Sequence, residues 1–375
     1  MAHATATQDT WAQTVERLGG AERLETEGRS CGAFRRVREI KCAVDFLQIV
    51  LAFCLGAEGL RLTAAWAQAL GIASLSNVAL LKRVRKAVPW LELLVARQLS
   101  VLSQGRSPRP VTIAAAHGRV IRLVDGTTIA KKDLASRTNG GLWRVHAMFN
   151  LAEERFDAFE LTDETVGERF GSVPAIAGEI RIGDRNYLQP DAIAALIAAG
   201  GDVIVRARWN GVRWFDENGE KADLIGLLNG ARGRGFLDQP IQIARAGGVP
   251  VPLRLIAMYR RAEAREKAIA SARRKAQKHG VKIRLETIAA AEWMILVTSL
   301  PKATFSLADI GELYRLRWRI EIGFKHLKSG VGLGSPPAAT EETAKAYILA
   351  HLLMILLTEP LIAEHLGDSP RRAVA

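Results

Sequence analysis

The chain has 375 residues, 49% of them hydrophobic, enough for one large domain or two to three ordinary ones around a sizeable core. Lysine and arginine number 52 against 39 acidic residues, a formal +13 that favours a polyanionic partner, and no run of about 18 apolar residues offers a membrane span. Three cysteines, Cys31, Cys42 and Cys54, are odd in number and lack C-x-x-C spacing, which argues against a disulfide framework and a zinc site.

The chain opens on Met-Ala-His-Ala-Thr without the basic and apolar segments of a secretory signal, so the expectation is a cytoplasmic protein, bacterial in style. Residues 1–34 are polar and weakly patterned, with a short helix expected around Trp11 to Leu18. Residues 35–108 read as helical: Ile40, Ala43, Val44, Leu47, Val50, Leu51 and Cys54 recur at spacings of three and four. A helix from Thr63 to Leu70, a turn at Gly71 and a second helix capped by Ser76 and reaching about Ala87 follow the pattern of a helix-turn-helix. The second helix carries Lys82, Arg83, Arg85 and Lys86, suited to phosphates, with Asn77 near its start, where base edges are read. Glycine-joined helix pairs are also common in proteins that never touch DNA. Gly105 to Pro110, G-R-S-P-R-P, marks a boundary.

Beyond it the pattern turns extended. Val120–Val124 reads as a strand ending at Asp125, Leu142–Leu151 and Phe156–Thr162 as two more, and Gly178–Gly183 as a short strand that stops at Asp184. A helix over 191–199 and a strand over Asp202–Ala207 follow. Three neighbouring strands, then strand, helix and strand, is the order of an RNase H-like fold, so 109–207 reads as the first part of such a core. Residues 208–305 interrupt it with strands at Pro240–Ala244, Val251–Tyr259 and Trp293–Leu300 and a basic helix from Arg261 to His279. That helix bears Arg261, Arg265, Lys267, Arg273, Arg274, Lys275 and Lys278, either as a solvated face or as a surface for a DNA backbone. Residues 306–375 complete the core and add closing helices over Ala344–Leu356 and Pro360–Leu366. The expected class is therefore α/β: a mixed sheet with flanking helices, interrupted by a β-rich insertion and preceded by an α-helical DNA-binding domain.

Tyr314 to Lys328 reads Y-R-L-R-W-R-I-E-I-G-F-K-H-L-K. As a helix at about 100° per residue, it would line up Tyr314, Arg317, Glu321 and Lys328 within an arc of roughly 60°. Leu313, Leu316, Ile320, Phe324 and Leu327 would form the apolar stripe that seats it. An amphipathic helix with salt-bridged side chains has the same pattern. The spacing Y-x2-R-x3-E-x6-K nevertheless resembles the signature of the insertion-sequence-four family of DDE transposases, and the letters around it are similar to that family's. V-D-G-T-T at Asp125 and G-D-R-N-Y at Asp184 likewise resemble its two aspartate motifs, although many relatives have glycine where Asn186 stands. The similarity spans about residues 35 to 330.

Strand-end aspartates beside glycine are frequent turn formers, but phosphodiester cleavage needs several carboxylates at one point, because magnesium prefers oxygen ligands. The resemblance implies cut-and-paste DNA transposition in which Asp125, Asp184 and Glu321 hold two magnesium or manganese ions. One ion would activate water at the element end and the other would stabilise the leaving 3′ oxygen; the freed 3′-hydroxyl would then attack the opposite strand, as a hairpin, or target DNA. It also implies that Tyr314, Arg317 and Lys328 bind phosphates of the transferred end, and that a tryptophan of the insertion, with Trp293 as candidate, stacks near a flipped base. Arg206 and Arg208 are further DNA-contact candidates; His146 reads as structural. The implied partners are double-stranded DNA, as transposon ends and target, and a second copy of the chain on DNA. Some relatives continue into a C-terminal dimerisation domain, which leaves the mode of assembly open. Two readings compete: a catalytically inactive, transposase-derived DNA-binding regulator, and an RNase H-like nuclease that cuts without joining.

Overall fold

Alternation of buried side chains along the strands builds two apolar layers on one sheet. The computed structural model describes residues 11–35, 37–56, 59–104, 113–130, 142–153, 155–163, 165–321 and 340–367. Its strands are β1 (Ile121–Ala130), β2 (Leu142–Asn150), β3 (Arg155–Asp163), β4 (Ile180–Gly183), β5 (Asp202–Arg206), β6 (Arg213–Phe215), β7 (Phe236–Ala244), β8 (Val251–Tyr259) and β9 (Trp293–Thr298). They form one nine-stranded sheet in the order β3-β2-β1-β4-β5-β9-β8-β7-β6. Only the central trio β1, β4 and β5 pairs in parallel, and every strand there is buried on both faces, as parallel sheets require.

One face takes Leu123, Ile182, Ile204, Ile256 and Leu296; the other takes Val124, Val203, Val205, Leu255 and Val297. The first layer is covered by helices from both ends of the chain. These are α1 (11–17), α2 (Ala21–Ser30), α3 (Ala43–Leu55), α4 (Leu60–Ala69), α5 (Asn77–Lys86), α6 (Val88–Gln104), α11 (Leu307–Arg315) and α12 (Glu341–Gly367). Fully buried Trp90, Phe46, Leu313 and Leu353 belong to this one cluster. The second layer is covered by α7 (Pro190–Ala198) and α8 (Leu224–Gly230) through Ile193, Leu196, Leu224 and Leu228. At the far edge α9 (Ala262–Lys278) and α10 (Leu285–Ala291) bury no residue at all.

Several elements start where the sequence says. The Ser76 hydroxyl accepts from the Ala79 N–H to cap α5, and Ser306 with Asp309 makes a reciprocal capping box on α11. Other expectations need correction. From residue 11 onward the segment read as polar and weakly patterned is packed, with Leu18 and Leu24 fully buried in the first layer. Helix α4 begins at Leu60, capped by Gly59 rather than Thr63. The two closing helices are one, α12, which runs through Pro360. The strands expected in the insertion extend the central sheet, with β9 pairing antiparallel to both β5 and β8. The linker Gly105–Pro110, together with Phe324, Leu327 and Lys328, lies outside the described residues. Among the described residues no helix is long and apolar enough to cross a membrane.

Beneath the sheet edge, a buried ion network fixes the loop that leads into β4. Arg181, fully buried, pairs with Glu179 and donates to the carbonyls of Val173 (2.9 Å) and Pro174 (2.8 Å). Arg122 joins Glu179 to Asp157 at 2.8 Å each. Buried charges are tolerated only when paired in this way.

Candidate active site

The parallel register of β1 on β4 decides which residues meet. Leu123 stands opposite Ile182, so two residues further along each strand Asp125 and Asp184 come to the same level. Asp125 is not at the end of its strand, as the sequence suggests: β1 continues to Ala130 on the strength of its antiparallel pairing with β2, where Asp125 faces Ala147. Asp184 does terminate β4 and caps a short 3-10 turn, its Oδ1 accepting from the Asn186 N–H at 2.7 Å. The Asp125 Oδ1 accepts from the Gly126 N–H at 2.9 Å. Gly183 is needed here, because a Cβ would stand 2.8 Å from the Tyr187 side chain that folds back under the turn.

A third carboxylate, Glu168, arrives from the loop between β3 and β4. Its Oε2 accepts from the Asn186 Nδ2 at 2.9 Å, and its Oε1 lies where a side chain on Gly126 would be, 2.7 Å from the position of a Cβ. Burial, with the nearby charges of Asp184 and Glu168, pushes the Asp125 carboxyl up to about 7, against the pull of the Gly126 N–H and Arg317. Burial also raises Glu168, and burial together with the three carboxylates raises the Tyr187 phenol far above its usual range.

Facing these acids is the end of α11. The helix stops at Arg315; the N–H groups of Arg317, Arg319 and Ile320 then bond three residues back, to Tyr314, Leu316 and Arg317, before helix resumes over 318–321. The continuous helix expected through Glu321 is therefore tightened at Leu316–Arg317. Arg317 still reaches Glu321 in an ion pair and stands 3.8 Å from the Asp125 Oδ2. Its guanidinium lies 6.0 Å from the Tyr314 ring, whose hydroxyl is buried beside it. Burial, with the nearby charge of Arg206, lowers the Arg260 guanidinium, whereas burial raises the Tyr314 phenol against the pull of Arg317 and Arg206. Glu321 itself is turned to Arg317 and is half exposed. Among the described residues no three acidic, histidine or cysteine side chains are close enough together to hold a metal ion.

The remaining expected residues divide. Lys82 and Lys86 are exposed on α5 and Arg83 is half-buried, whereas Arg85 donates to the Thr343 hydroxyl on α12 at 3.3 Å and is committed to the helical core. Arg208 is exposed. Trp293 requires correction: it is 3% exposed and packs edge-on against Tyr259 at 5.0 Å, so its ring offers no free face to a base. The indole that does face solvent is Trp318, 50% exposed between Arg317 and Arg319. His146 is structural as read, buried and bonded to Thr162 at 2.8 Å. Glu168 and Arg260 escaped the sequence reading, since each is distant in sequence from the motifs it adjoins.

Residues 116–357 match a family model described as the transposase DDE domain. The chain is also 37% identical, over 97% of itself and 97% of each relative, to the putative transposase InsL for insertion sequence element IS186A of Escherichia coli strain K12 and to the transposase for insertion sequence element IS421 of Escherichia coli. The chain belongs to the DDE transposases. It is thus an enzyme of insertion-sequence DNA, in a family that works with divalent metal ions.

Because the transposase holds a proton on Asp125 up to about pH 7 that the unfolded chain releases near 3.8, its folded state binds more protons than the unfolded state across that window. Stability should therefore fall as pH rises from about 4 to 7, by at most about 4 kcal/mol. Thermal unfolding in chelator should show this slope in the wild type and lose it in Asp125→Asn; an equal slope in both would exclude Asp125 as its source.

Proposed function

We propose that this transposase performs cut-and-paste movement of its insertion sequence through an RNase H-like core in which Asp125, Asp184 and Glu321 form the catalytic triad. The observation that carries the reading is the shared level of Asp125 and Asp184 on adjoining parallel strands, with the Arg317–Glu321 pair opposite. The donor set suits magnesium or manganese: all hard oxygens, with Asp125 raised chiefly by burial and further by the nearby charge of Asp184, a cost that a divalent cation would relieve. Asp125 and Asp184 would hold such ions from the sheet, and Glu321 would join them on release from Arg317. Two bound ions supply activation of the attacking oxygen and stabilisation of the leaving one in each in-line displacement at phosphorus.

The residues around the triad supply the rest. Arg317, freed from the carboxylates it now neutralises, and Tyr314 donate to phosphates of the transferred strand, with Lys328 further along the same segment. Arg206 and Arg260 extend the positive rim toward the insertion, and the free face of Trp318 suits stacking on an unpaired base. Lys82, Lys86 and Asn77 on α5 would contact the terminal repeat, in an N-terminal helical region that recognises the element ends. Two copies assembled on DNA would bring two ends together. Beyond the rim, α9 has six basic residues against two acidic ones, buries none of its residues, and is held at its start by Arg265 over the Tyr259 ring at 5.2 Å. A helix so exposed and so charged fits a duplex backbone better than a protein core.

Two experiments test this reading. A labelled duplex carrying the terminal repeat of the element should, with magnesium, be cut to a 3′-hydroxyl end that joins a second DNA, while Glu321→Gln binds the duplex and does neither; equal binding without cutting by both proteins, with manganese as well, would favour a DNA-binding regulator. Replacing Lys267, Arg273, Arg274, Lys275 and Lys278 by glutamine should lower the dependence of log affinity on log salt by about 0.9 for each phosphate no longer neutralised. An unchanged slope would leave α9 as a solvated face.

A further inference from the structure

Glu168 stands where a single side chain reaches both aspartate motifs. Its backbone is tied down on each side: the Arg144 Nη1 donates to the Val166 carbonyl at 3.1 Å, Arg181 holds Val173 and Pro174, and the Gln189 Nε2 donates to the Glu168 carbonyl and, at 3.2 Å, to that of Asn186. The side chain is therefore delivered by a braced loop. One carboxylate oxygen lies over Gly126, the residue whose N–H binds the Asp125 carboxylate. The other accepts from the Asn186 amide, and the Asn186 N–H binds the Asp184 carboxylate. Hydrogen bonds thus run from Glu168 through Asn186 to Asp184, and on the other side the Glu168 carboxylate closes off the space over Gly126, which holds Asp125.

We propose that Glu168 is a positioning residue that, with Asn186, fixes the separation of Asp125 and Asp184 for the divalent ion they share. This rests on the reading of those aspartates as metal ligands. Gly126 is then glycine for a local reason: any side chain would displace the Glu168 carboxylate. Asn186, whose amide donates to Glu168 while its N–H binds Asp184, is the partner that makes Glu168 effective in this chain. Residues that orient metal ligands in this way commonly change metal affinity or activity by about 10- to 100-fold when removed.

The test compares wild type, Glu168→Ala, Glu168→Gln, Asn186→Gly and the double variant Glu168→Ala/Asn186→Gly. Two quantities are titrated with Mn2+: the single-turnover cleavage rate, and the rise in unfolding temperature of the DNA-free protein. Glu168→Ala should shift both titrations to about tenfold higher metal or more. Glu168→Gln, whose amide oxygen still accepts from Asn186, should recover most of that shift. The double variant should be no worse than Glu168→Ala, because the two side chains act as one unit. Wild-type metal dependence in Glu168→Ala would overturn the proposal. So would Glu168→Gln as impaired as Glu168→Ala, which would make the charged carboxylate a ligand itself, or additive losses in the double variant. If Glu168→Ala does not fold, the Glu168→Gln and Asn186→Gly pair carries the comparison. A wild type that binds Mn2+ yet never cuts DNA would defeat the transposase mechanism, while the thermal titration still decides the role of Glu168.

Discussion

Two strands running side by side in one direction impose the constraint on which the rest of the structure depends. Parallel pairing of β1 with β4 brings Asp125 and Asp184 to one level, and no local rearrangement separates them without breaking a strand that is buried on both faces. The fold thus maintains a repulsion. Burial of Asp125, with two other acids nearby, raises its carboxyl to about 7, a perturbation of the kind that clusters at functional sites. The surrounding architecture serves that edge: Arg181 and Glu179 brace the loop below it, Tyr187 fills the space under Gly183, and both apolar layers grip β4 through its flanking strands.

Across from the aspartates, the end of α11 works by the opposite sign of charge. Arg317 sits between Asp125 and Glu321, so one guanidinium answers two carboxylates from the sheet and from its own segment. A divalent ion and a guanidinium compete for the same oxygens. Binding of the ion would release Arg317 to a phosphate, which couples the arrival of metal to the grip on DNA. The tightened backbone at Leu316–Arg317 gives that segment an adjustable joint, since three-residue hydrogen bonds are weaker than those of a regular helix.

Much of this is legible in the sequence, and the gaps have physical causes. Strands β2 to β5, the basic helix α9 and the Ser76 cap follow from local periodicity and capping, which depend on neighbours within a turn or two. The motif spacing points to Asp125, Asp184, Tyr314, Arg317 and Glu321. What stays hidden is long-range. That the strands of the insertion join the central sheet rather than a separate one depends on β9 pairing with β5, strands that the whole insertion separates in the chain. Trp293 is picked out by its place in the insertion ahead of Glu321, yet Tyr259 covers it from another strand. Arg85 shares a face with Lys82 in the helical wheel but meets Thr343 from the far end of the chain. Glu168 lies in a loop with no periodicity, so only the folded chain shows it over Gly126. The break after Arg315 has neither glycine nor proline to announce it.

The most direct test of the account is where a divalent ion sits. Anomalous diffraction from crystals of the protein with Mn2+, alone and bound to a terminal-repeat duplex, would locate it without reference to activity. The account predicts a peak ligated by both Asp125 and Asp184, with Glu168 still bonded to Asn186 outside the ligand shell and Arg317 moved away from Asp125. A peak ligated by neither aspartate, or none at saturating Mn2+ with DNA bound, would contradict it.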